Sequence, residues 1–376
     1  MDFRPVIAYI EDVIRKEKNV PGCDLLIMKE HEILLRYKSG VSDYAGERPV
    51  QGNERYFMYS CSKPITCTAA LQLAERGIIG LDDPVSRYLP EFADVFLLKD
   101  GDKVPASRVM TVRHLFTMSG GLDYDLFKEP VTALLQANPE ADTIAVVSAM
   151  AKAPLLFEPG TRFEYSLCHD VLAAVVEAAS GMKFSTYLNE NIFMPLGMTH
   201  TGFSPEEAKA ELAAQYTCPQ TGTVIPMEQD NNYRLSVNYE SGGAGIISSI
   251  EDYAKFADAM ANGGVGANGA RILKPETIDM MRADQLTGFL DDPSFSCAAG
   301  PGYGYGLGVR TMIDQSQGAR SSLGEFGWDG AAGSYLMMDP KTGLSIVFTM
   351  HVRNWTTCIG CGHAPIRDLT YEVLGL

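Results

Sequence analysis

The sequence is short of positive charge and has no long apolar run. Its 376 residues include 31 Lys and Arg against 47 Asp and Glu, so the formal net charge is −16. Nucleic-acid binding requires clustered basic residues, and their absence argues against a nucleic-acid partner. No segment reaches the roughly 18 uninterrupted apolar residues of a membrane helix, and the N-terminus has no apolar signal core. We therefore expect a cytoplasmic protein without a membrane partner.

Cysteine is too sparse for a disulfide framework. Eight cysteines in a chain of this length, without a secretion signal, are expected to be reduced thiols. The one suggestive spacing is CIGCGH, which contains Cys358, Cys361 and His363. Gly362 separates the second cysteine from the histidine, which argues against haem attachment, and a zinc site would need a second ligand pair. We expect no metal site here.

Periodicity indicates one sheet built from both ends of the chain. The first twenty residues have the spacing of an amphipathic helix, and CDLLIMKEHEILLRYKSG has the pattern of a hairpin. Helices and loops follow, and strand patterns return after residue 240. This order predicts an α/β (α+β) fold with an antiparallel sheet flanked by helices. We expect residues 1–63 and 241–376 to form the sheet domain, residues 64–240 a mostly helical inserted domain, and the site to lie at their junction.

One stretch at the start of a predicted helix could hold a nucleophile. In YSCSKPITCTAA, Ser60 and Lys63 are three residues apart, and Pro64 suits a first helical turn. Both side chains then share one helix face, and the positive end of the helix favours negative charge at Ser60. The alternative is that Ser60 or Ser62 caps the helix and Lys63 is solvated. The local pattern leaves both interpretations open.

A second Ser-x-x-Lys pattern shows how common this spacing is. In SGMK, Ser180 ends a predicted helix and Gly181 suits a left-handed cap, so we interpret Ser180 and Lys183 as structural. The sequence contains no G-x-S-x-G, which argues against the nucleophile elbow of the α/β-hydrolases.

The segments that accompany the first match are more specific. YSCSK is followed by RGIIGLDDPVSRYLPEF, TVRHLFTMSGGLDYD, EPGTRFEYSLCHDVLAAVVEAASG, PLGMTHTGF, SGGAGIISSIEDYAKF and GWDGAAGSYLMMDP. In order and spacing, this series resembles the serine β-lactamase-like family. That family includes class C β-lactamases, penicillin-binding D-alanyl-D-alanine peptidases and a branch of carboxylesterases.

The resemblance implies a set of catalytic residues. Ser60 matches the nucleophile, Lys63 the lysine one helical turn further on, and Tyr165 the tyrosine of the second motif. The family's oxyanion hole would consist of the backbone N–H groups of Ser60 and Ala331. Free Lys and Tyr both titrate near pKa ~10, so one of them needs a pKa lowered by about three units to act as a base at neutral pH. Which of Lys63 and Tyr165 carries the proton stays open.

Two positions depart from the commonest family pattern. The third motif falls on Trp328, Asp329 and Gly330, with Trp328 in place of a cation, and Leu167 stands where the second motif usually has Asn. Both substitutions resemble the carboxylesterase branch. The expected substrate-binding residues are Trp328, Gly330, Leu167 and Tyr124.

Two other features are interpreted as structural. A literal KTG at residues 341–343 follows Pro340 and precedes the strand pattern LSIVFTM, so we expect a hairpin turn there. His169 lies four residues after Tyr165 and is expected to line the site or pack beside it.

These features together predict a serine hydrolase that cleaves small carboxylic esters through an acyl-enzyme on Ser60. The expected partner is a small-molecule ester or amide, and no metal or organic cofactor is implied. One alternative is a β-lactamase or D-amino-acid peptidase that acts on amide bonds. Another is a catalytically silent ligand-binding relative, although such a protein would not need Ser60, Lys63 and Tyr165 together.

Overall fold

A computed structural model describes residues 1–219, 222–287, 300–355 and 359–376, with only the backbone described at residues 359 and 360. The strands are, in chain order, β1 (Gly22–Lys29), β2 (Glu32–Gly40), β3 (Arg55–Phe57), β4 (Phe96–Lys99), β5 (Asp102–Pro105), β6 (Thr201–Gly202), β7 (Gln215–Thr217), β8 (Ile225–Met227), β9 (Ile247–Ser249), β10 (Tyr303–Tyr305), β11 (Arg310–Met312), β12 (Phe326–Asp329), β13 (Tyr335–Asp339), β14 (Leu344–Thr349) and β15 (Val352–Arg353).

Helices surround these strands. The α-helices are α1 (Arg4–Tyr9), α2 (Ser62–Glu75), α3 (Val112–Phe116), α4 (Glu129–Ala137), α5 (Thr143–Met150), α6 (Cys168–Ser180), α7 (Phe184–Leu188), α8 (Met194–Leu196), α9 (Pro205–Ala208), α10 (Ile250–Ala261), α11 (Pro275–Arg282) and α12 (Ala364–Leu374). π-Helical turns cover Ile10–Glu17, Asn189–Phe193 and Ile359–His363, and 3₁₀ turns cover Tyr59–Cys61, Val85–Arg87, Pro90–Asp94 and Gln315–Gln317.

An antiparallel sheet forms the centre of the fold. Within the described residues it contains seven strands in the order β10-β11-β12-β13-β14-β1-β2. Its strands come from residues 22–40 and 303–349, on either side of the long helical segment. The predicted fold class, an antiparallel sheet flanked by helices, is confirmed.

Alternation along β1 explains why both faces of the sheet are covered. Leu25 and Ile27 point to one side, where they join a buried cluster with residues of α1 and α12. Leu26 and Met28 point to the other side and join the larger cluster that contains α2, α6 and α10. Successive side chains of a strand point to opposite faces, so a strand apolar at consecutive positions must be buried on both sides.

Several local predictions are confirmed. The N-terminal helix forms, β1 and β2 make the hairpin, and Gly181 adopts the left-handed conformation (φ 68°) after α6. The KTG segment is a hairpin turn: β13 pairs with β14, the Thr342 hydroxyl donates to Asp339 (2.8 Å), and Gly343 has φ 67°. This segment therefore lies outside the strands that could face the nucleophile.

Residues 64–240 differ from the predicted pattern of helices and loops. Strands β4 to β8 lie in this segment, and β6 and β7 pair with strands from outside it, β9 and β15. Each has only two to four residues, too few to give a period-two signal in the sequence. The domain limits at residues 63 and 240 stay a prediction.

Candidate active site

Ser60 lies in a tight turn directly before α2. The 3₁₀ turn Tyr59–Cys61 leads into the helix at Ser62, and Tyr59 has a left-handed backbone conformation (φ 46°) although it is not glycine. A fixed partner holds this strained residue, because the buried Tyr59 hydroxyl donates to Gln215 Oε1 at 2.8 Å. The turn presents the Ser60 side chain at the positive end of α2.

The capping alternative is wrong. No side chain caps either the 3₁₀ turn or α2, and Ser62 Oγ instead accepts a hydrogen bond from the backbone N–H of Ile246 at 3.0 Å. Lys63 is not solvated either, since it is completely buried. The Ser-x-x-Lys pattern at residues 60–63 therefore has no capping or solubilising role.

Lys63 Nζ has three oxygen neighbours. It lies 3.1 Å from Ser60 Oγ, 3.2 Å from the hydroxyl of Tyr124 and 2.7 Å from the carbonyl oxygen of Gly243. A lysine ammonium has three donors, so each finds an acceptor. The arrangement fixes the amine beside the serine hydroxyl, at hydrogen-bond distance.

Two tyrosines flank this amine in different ways. The ring of Tyr165 lies under Lys63 Nζ, 4.7 Å from the ring centre, while the Tyr165 hydroxyl accepts a hydrogen bond from Trp328 Nε1 at 3.2 Å. Lys63 Nζ donates a direct hydrogen bond to the hydroxyl of Tyr124, whose ring stacks on Tyr165 with centroids 5.4 Å apart. Burial, followed by the nearby Tyr165 and Asp170, raises the pKa of Tyr124 well above its ordinary value. Tyr124 is therefore a neutral phenol.

The end of β12 packs directly against the nucleophile turn. Cys61 Sγ contacts the carbonyl oxygen of Trp328 at 3.6 Å, and a Cβ atom at Gly330 would be only 2.4 Å from the carbonyl oxygen of Met58. Glycine at 330 is therefore required by the close approach of two backbones. Ala331 follows at an exposed turn position, and its N–H donates to no other residue in the described part of the chain.

The remaining predicted residues lie in different surroundings. Trp328 is only 6% exposed, because it stacks on Tyr165 and meets Tyr305 edge to face. Leu167 directly precedes α6 and packs into the large core cluster. His169 is fully buried and contacts the carbonyl oxygen of Phe116 at 3.2 Å; burial lowers its pKa to about 3, so it is a neutral packing residue.

Sequence reasoning missed Gly243 and Asp170. A Cβ atom at Gly243 would lie 2.5 Å from Asp170 Oδ2 and 3.4 Å from Lys63 Nζ. Asp170 therefore lies against Gly243, the residue whose carbonyl oxygen contacts Lys63. Asp170 is buried, and its Oδ1 accepts hydrogen bonds from Tyr239 (2.7 Å) and Ser241 (2.5 Å). The SGG sequence at 241–243 offered a weak signal, since paired glycines often permit a close backbone approach.

The CIGCGH segment is described only in part, because Cys358 lies outside the described residues. The carbonyl oxygen of Cys361 accepts a hydrogen bond from the Tyr9 hydroxyl (2.7 Å), and His363 Nδ1 lies 2.6 Å from Asp329. Across the residues that the structure describes, no group of three or more His, Cys, Asp or Glu could hold a metal ion. None of the described helices is long and apolar enough to cross a membrane.

An antiparallel sheet flanked by helices, with a buried lysine beside a serine at a helix start, defines the class of β-lactamase-fold serine hydrolases. The sequence matches the Beta-lactamase family over residues 8–357. The chain belongs to this family.

Similar proteins include hydrolases and acyltransferases. Esterase EstB from Burkholderia gladioli is 30% identical over 363 residues, which cover 89% of this chain and 87% of that protein. Monacolin J acid methylbutanoyltransferase from Aspergillus terreus (strain NIH 2624 / FGSC A1156) is 26% identical over 348 residues, covering 86% and 81%. The solved structure of EstCE1, a hydrolase with promiscuous acyltransferase activity, has a TM-score of 0.80 at 26% identity and covers 98% of both chains.

Replacing Asp170 by alanine should destabilise the protein. The buried hydroxyls of Tyr239 and Ser241 would lose their acceptor, so Asp170→Ala should lower the free energy of unfolding by about 2–4 kcal/mol in urea titrations. Asp83→Ala is the control, because Asp83 also accepts from a tyrosine, Tyr88 (2.6 Å), but in a partly exposed place. We expect a loss there of about 1 kcal/mol or less, since water replaces the lost acceptor. Equal losses would contradict the buried network.

Proposed function

We propose that the protein hydrolyses small carboxylic esters through an acyl-enzyme on Ser60. The observation that carries this proposal is the 3.1 Å contact between Ser60 Oγ and the buried Nζ of Lys63. A serine hydroxyl is a poor nucleophile until a neighbour accepts its proton, and this contact fixes the hydroxyl beside the buried group that is proposed to assist that transfer. The name of the esterase EstB, among the relatives, supports the same reaction class.

Tyr165 is the proposed proton acceptor, with Lys63 as its electrostatic partner. The N–H of Trp328 is directed at the Tyr165 oxygen, and the Lys63 amine lies over its ring. A hydrogen-bond donor and a positive charge both stabilise a phenolate. Tyr124 is the weaker candidate, because its raised pKa keeps it protonated. In this mechanism Tyr124 orients Lys63, and Tyr165 takes the proton from Ser60 as the ester is attacked.

The tetrahedral intermediate would be bound by the backbone N–H groups of Ser60 and Ala331. The contact of Gly330 with the nucleophile turn supports this pairing, because it brings the residue before Ala331 against Met58. Donors that are fixed before the reaction stabilise an oxyanion without reorganisation. As the intermediate collapses, Tyr165 would give the proton taken from Ser60 to the departing alcohol. Tyr165 would then take a proton from a water molecule that attacks the acyl-enzyme, and would return it to Ser60 as the carboxylic acid is released.

The substrate proposed is a neutral ester rather than a β-lactam or a peptide. Position 328 has an indole where a cation would hold a substrate carboxylate, and its N–H is already used by Tyr165. Position 167 has a buried leucine where an amide side chain would contact the substrate. Both polar contacts to an anionic amide substrate are therefore missing at these positions, whereas a short neutral ester needs neither.

Ser60 should be the acylated residue. Ser60→Ala should abolish both ester hydrolysis and covalent labelling by a fluorophosphonate probe, with little change in the melting temperature. Ser180→Ala is the matched control from the second Ser-x-x-Lys pattern, and it should leave both properties unchanged. A labelled peptide that maps to any serine other than Ser60 would overturn the assignment, and an unlabelled wild-type protein would favour the silent binding relative.

Substitution of Tyr165 should lower kcat more than substitution of Tyr124. Tyr165→Phe should lower kcat by about 10² to 10⁴ with little change in KM, because general acid–base help is lost. Tyr124→Phe should lower kcat by about tenfold at most, because Lys63 loses one acceptor and keeps the other two. Steady-state kinetics on one acetyl ester measure both. The reverse order of effects would assign the proton transfer to Tyr124.

Neutral esters should be better substrates than β-lactams. A charge-assisted hydrogen bond to a substrate carboxylate is worth about 1.5–3 kcal/mol, so its absence should cost a cephalosporin roughly ten- to a hundredfold in kcat/KM. We expect clear turnover of acetyl to butyryl esters and weak or absent turnover of cephalosporins in assays on one preparation. A cephalosporin kcat/KM equal to that of the best ester would favour the β-lactamase alternative.

A further inference from the structure

The turn between β12 and β13 holds the proposed oxyanion donor Ala331. Hydrogen bonds close this turn on both sides: the N–H of Gly330 donates to the carbonyl oxygen of Ser334 (2.7 Å), and the N–H of Gly333 donates to that of Gly330 (2.9 Å). The place of the Ala331 N–H therefore depends on how firmly the two ends of the turn are held.

His363 contacts both ends of this turn from the other end of the chain. Its Nδ1 lies 2.6 Å from Asp329 Oδ1, just before the turn, and its Nε2 lies 3.2 Å from the carbonyl oxygen of Gly333, at the end of the turn. The ring is 1% exposed and stacks on Tyr335 with centroids 4.8 Å apart. One imidazole thus bridges the residues on either side of Gly330, Ala331 and Ala332.

Both partners of His363 are acceptors. Burial alone would raise the pKa of Asp329, but the Arg310 guanidinium and the His363 hydrogen bond outweigh burial and hold that pKa below its usual value. Asp329 is therefore a carboxylate, and the Gly333 carbonyl can only accept. Each ring nitrogen of His363 therefore has one acceptor within hydrogen-bond distance. A side chain with donors at one end only can keep one of the two contacts.

We propose that His363 is a positioning residue for the oxyanion hole. By tying Asp329 to Gly333, it sets the place of the Ala331 N–H relative to Ser60. This inference rests on the proposed function, because it uses the oxyanion role of Ala331. It gives the CIGCGH segment a role that is unrelated to metal binding: its histidine connects the segment before α12 to the reaction site.

Two variants test this bridge. His363→Ala removes both contacts, and His363→Gln keeps donors at one end of the side chain. Since loss of an oxyanion-hole donor costs about 10² to 10³ in kcat, a misplaced donor should cost roughly ten- to a hundredfold. We expect that loss in His363→Ala, a smaller loss in His363→Gln, and a KM within about twofold of wild type in both, because the oxyanion forms only in the transition state. Rates are expressed per site titrated with a fluorophosphonate probe, which removes any contribution from unfolded protein.

His31→Ala is the matched control. His31 Nδ1 lies 2.7 Å from Asp258 Oδ2, so the same kind of pair joins the β1–β2 turn to α10, outside the site. This variant should lose some stability and keep the wild-type kcat per titrated site. If His363 had only a structural role, its variants would likewise lose some stability and keep the wild-type kcat per titrated site.

The inference is overturned if either folded His363 variant keeps kcat within about twofold of wild type, or if KM rises while kcat is unchanged. Should His363→Ala fail to fold, His363→Gln decides. Failure of the proposed function would give a different result: the wild-type protein would label at Ser60 but hydrolyse no ester. The labelling rate at Ser60 then replaces kcat in the same comparison of variants. A wild-type protein that does not label at all would refute both proposals.

Discussion

The site depends on how the fold keeps the amine end of Lys63 out of water. A buried polar group is costly unless it is hydrogen-bonded, and here three oxygens, two of them from distant segments, surround the amine. The carbonyl of Gly243 can approach only because that residue has no side chain, since a Cβ atom there would collide with Asp170. The start of α2, the loop of Tyr124 and the SGG segment must therefore be in place together before Lys63 can be buried.

Trp328 shows how one substitution can act on two properties of the site. From the sequence, the indole is expected to meet the substrate in place of a cation. In the structure it is almost fully buried and donates its N–H to Tyr165, so its hydrogen-bond partner is a proposed catalytic group. Loss of the cation would remove an anchor for anionic substrates, and gain of the indole would stabilise negative charge on the tyrosine. The first effect supports the proposed neutral ester, whereas the second acts on the proposed proton transfer.

Local patterns predict the elements of this protein better than its site. The β1–β2 hairpin, the Gly181 cap and the nearness of Ser60 to Lys63 follow from spacing within a few residues, and the structure confirms each of them. The contacts of Lys63 with Tyr124 and Gly243 join residues 61 and 180 positions apart, and no periodicity encodes such pairs. The strands between residues 96 and 227 escaped detection because of their length. The resemblance to a family pointed to Tyr165, but not to the neighbour that bonds Lys63.

The Trp-Asp-Gly segment has a separate physical reason at each position. Glycine at 330 lets the strand end reach the backbone of Met58, which a Cβ atom would prevent. Aspartate at 329 faces away from the nucleophile toward Arg310 and His363, so its negative charge is neutralised on the far side of the strand. A carboxylate facing Ser60 would oppose the oxyanion by charge repulsion. Asp329 thus contacts His363 beside the turn while its charge is paired away from Ser60. This arrangement lets the one charged residue of β12 lie next to the proposed oxyanion donor without opposing it.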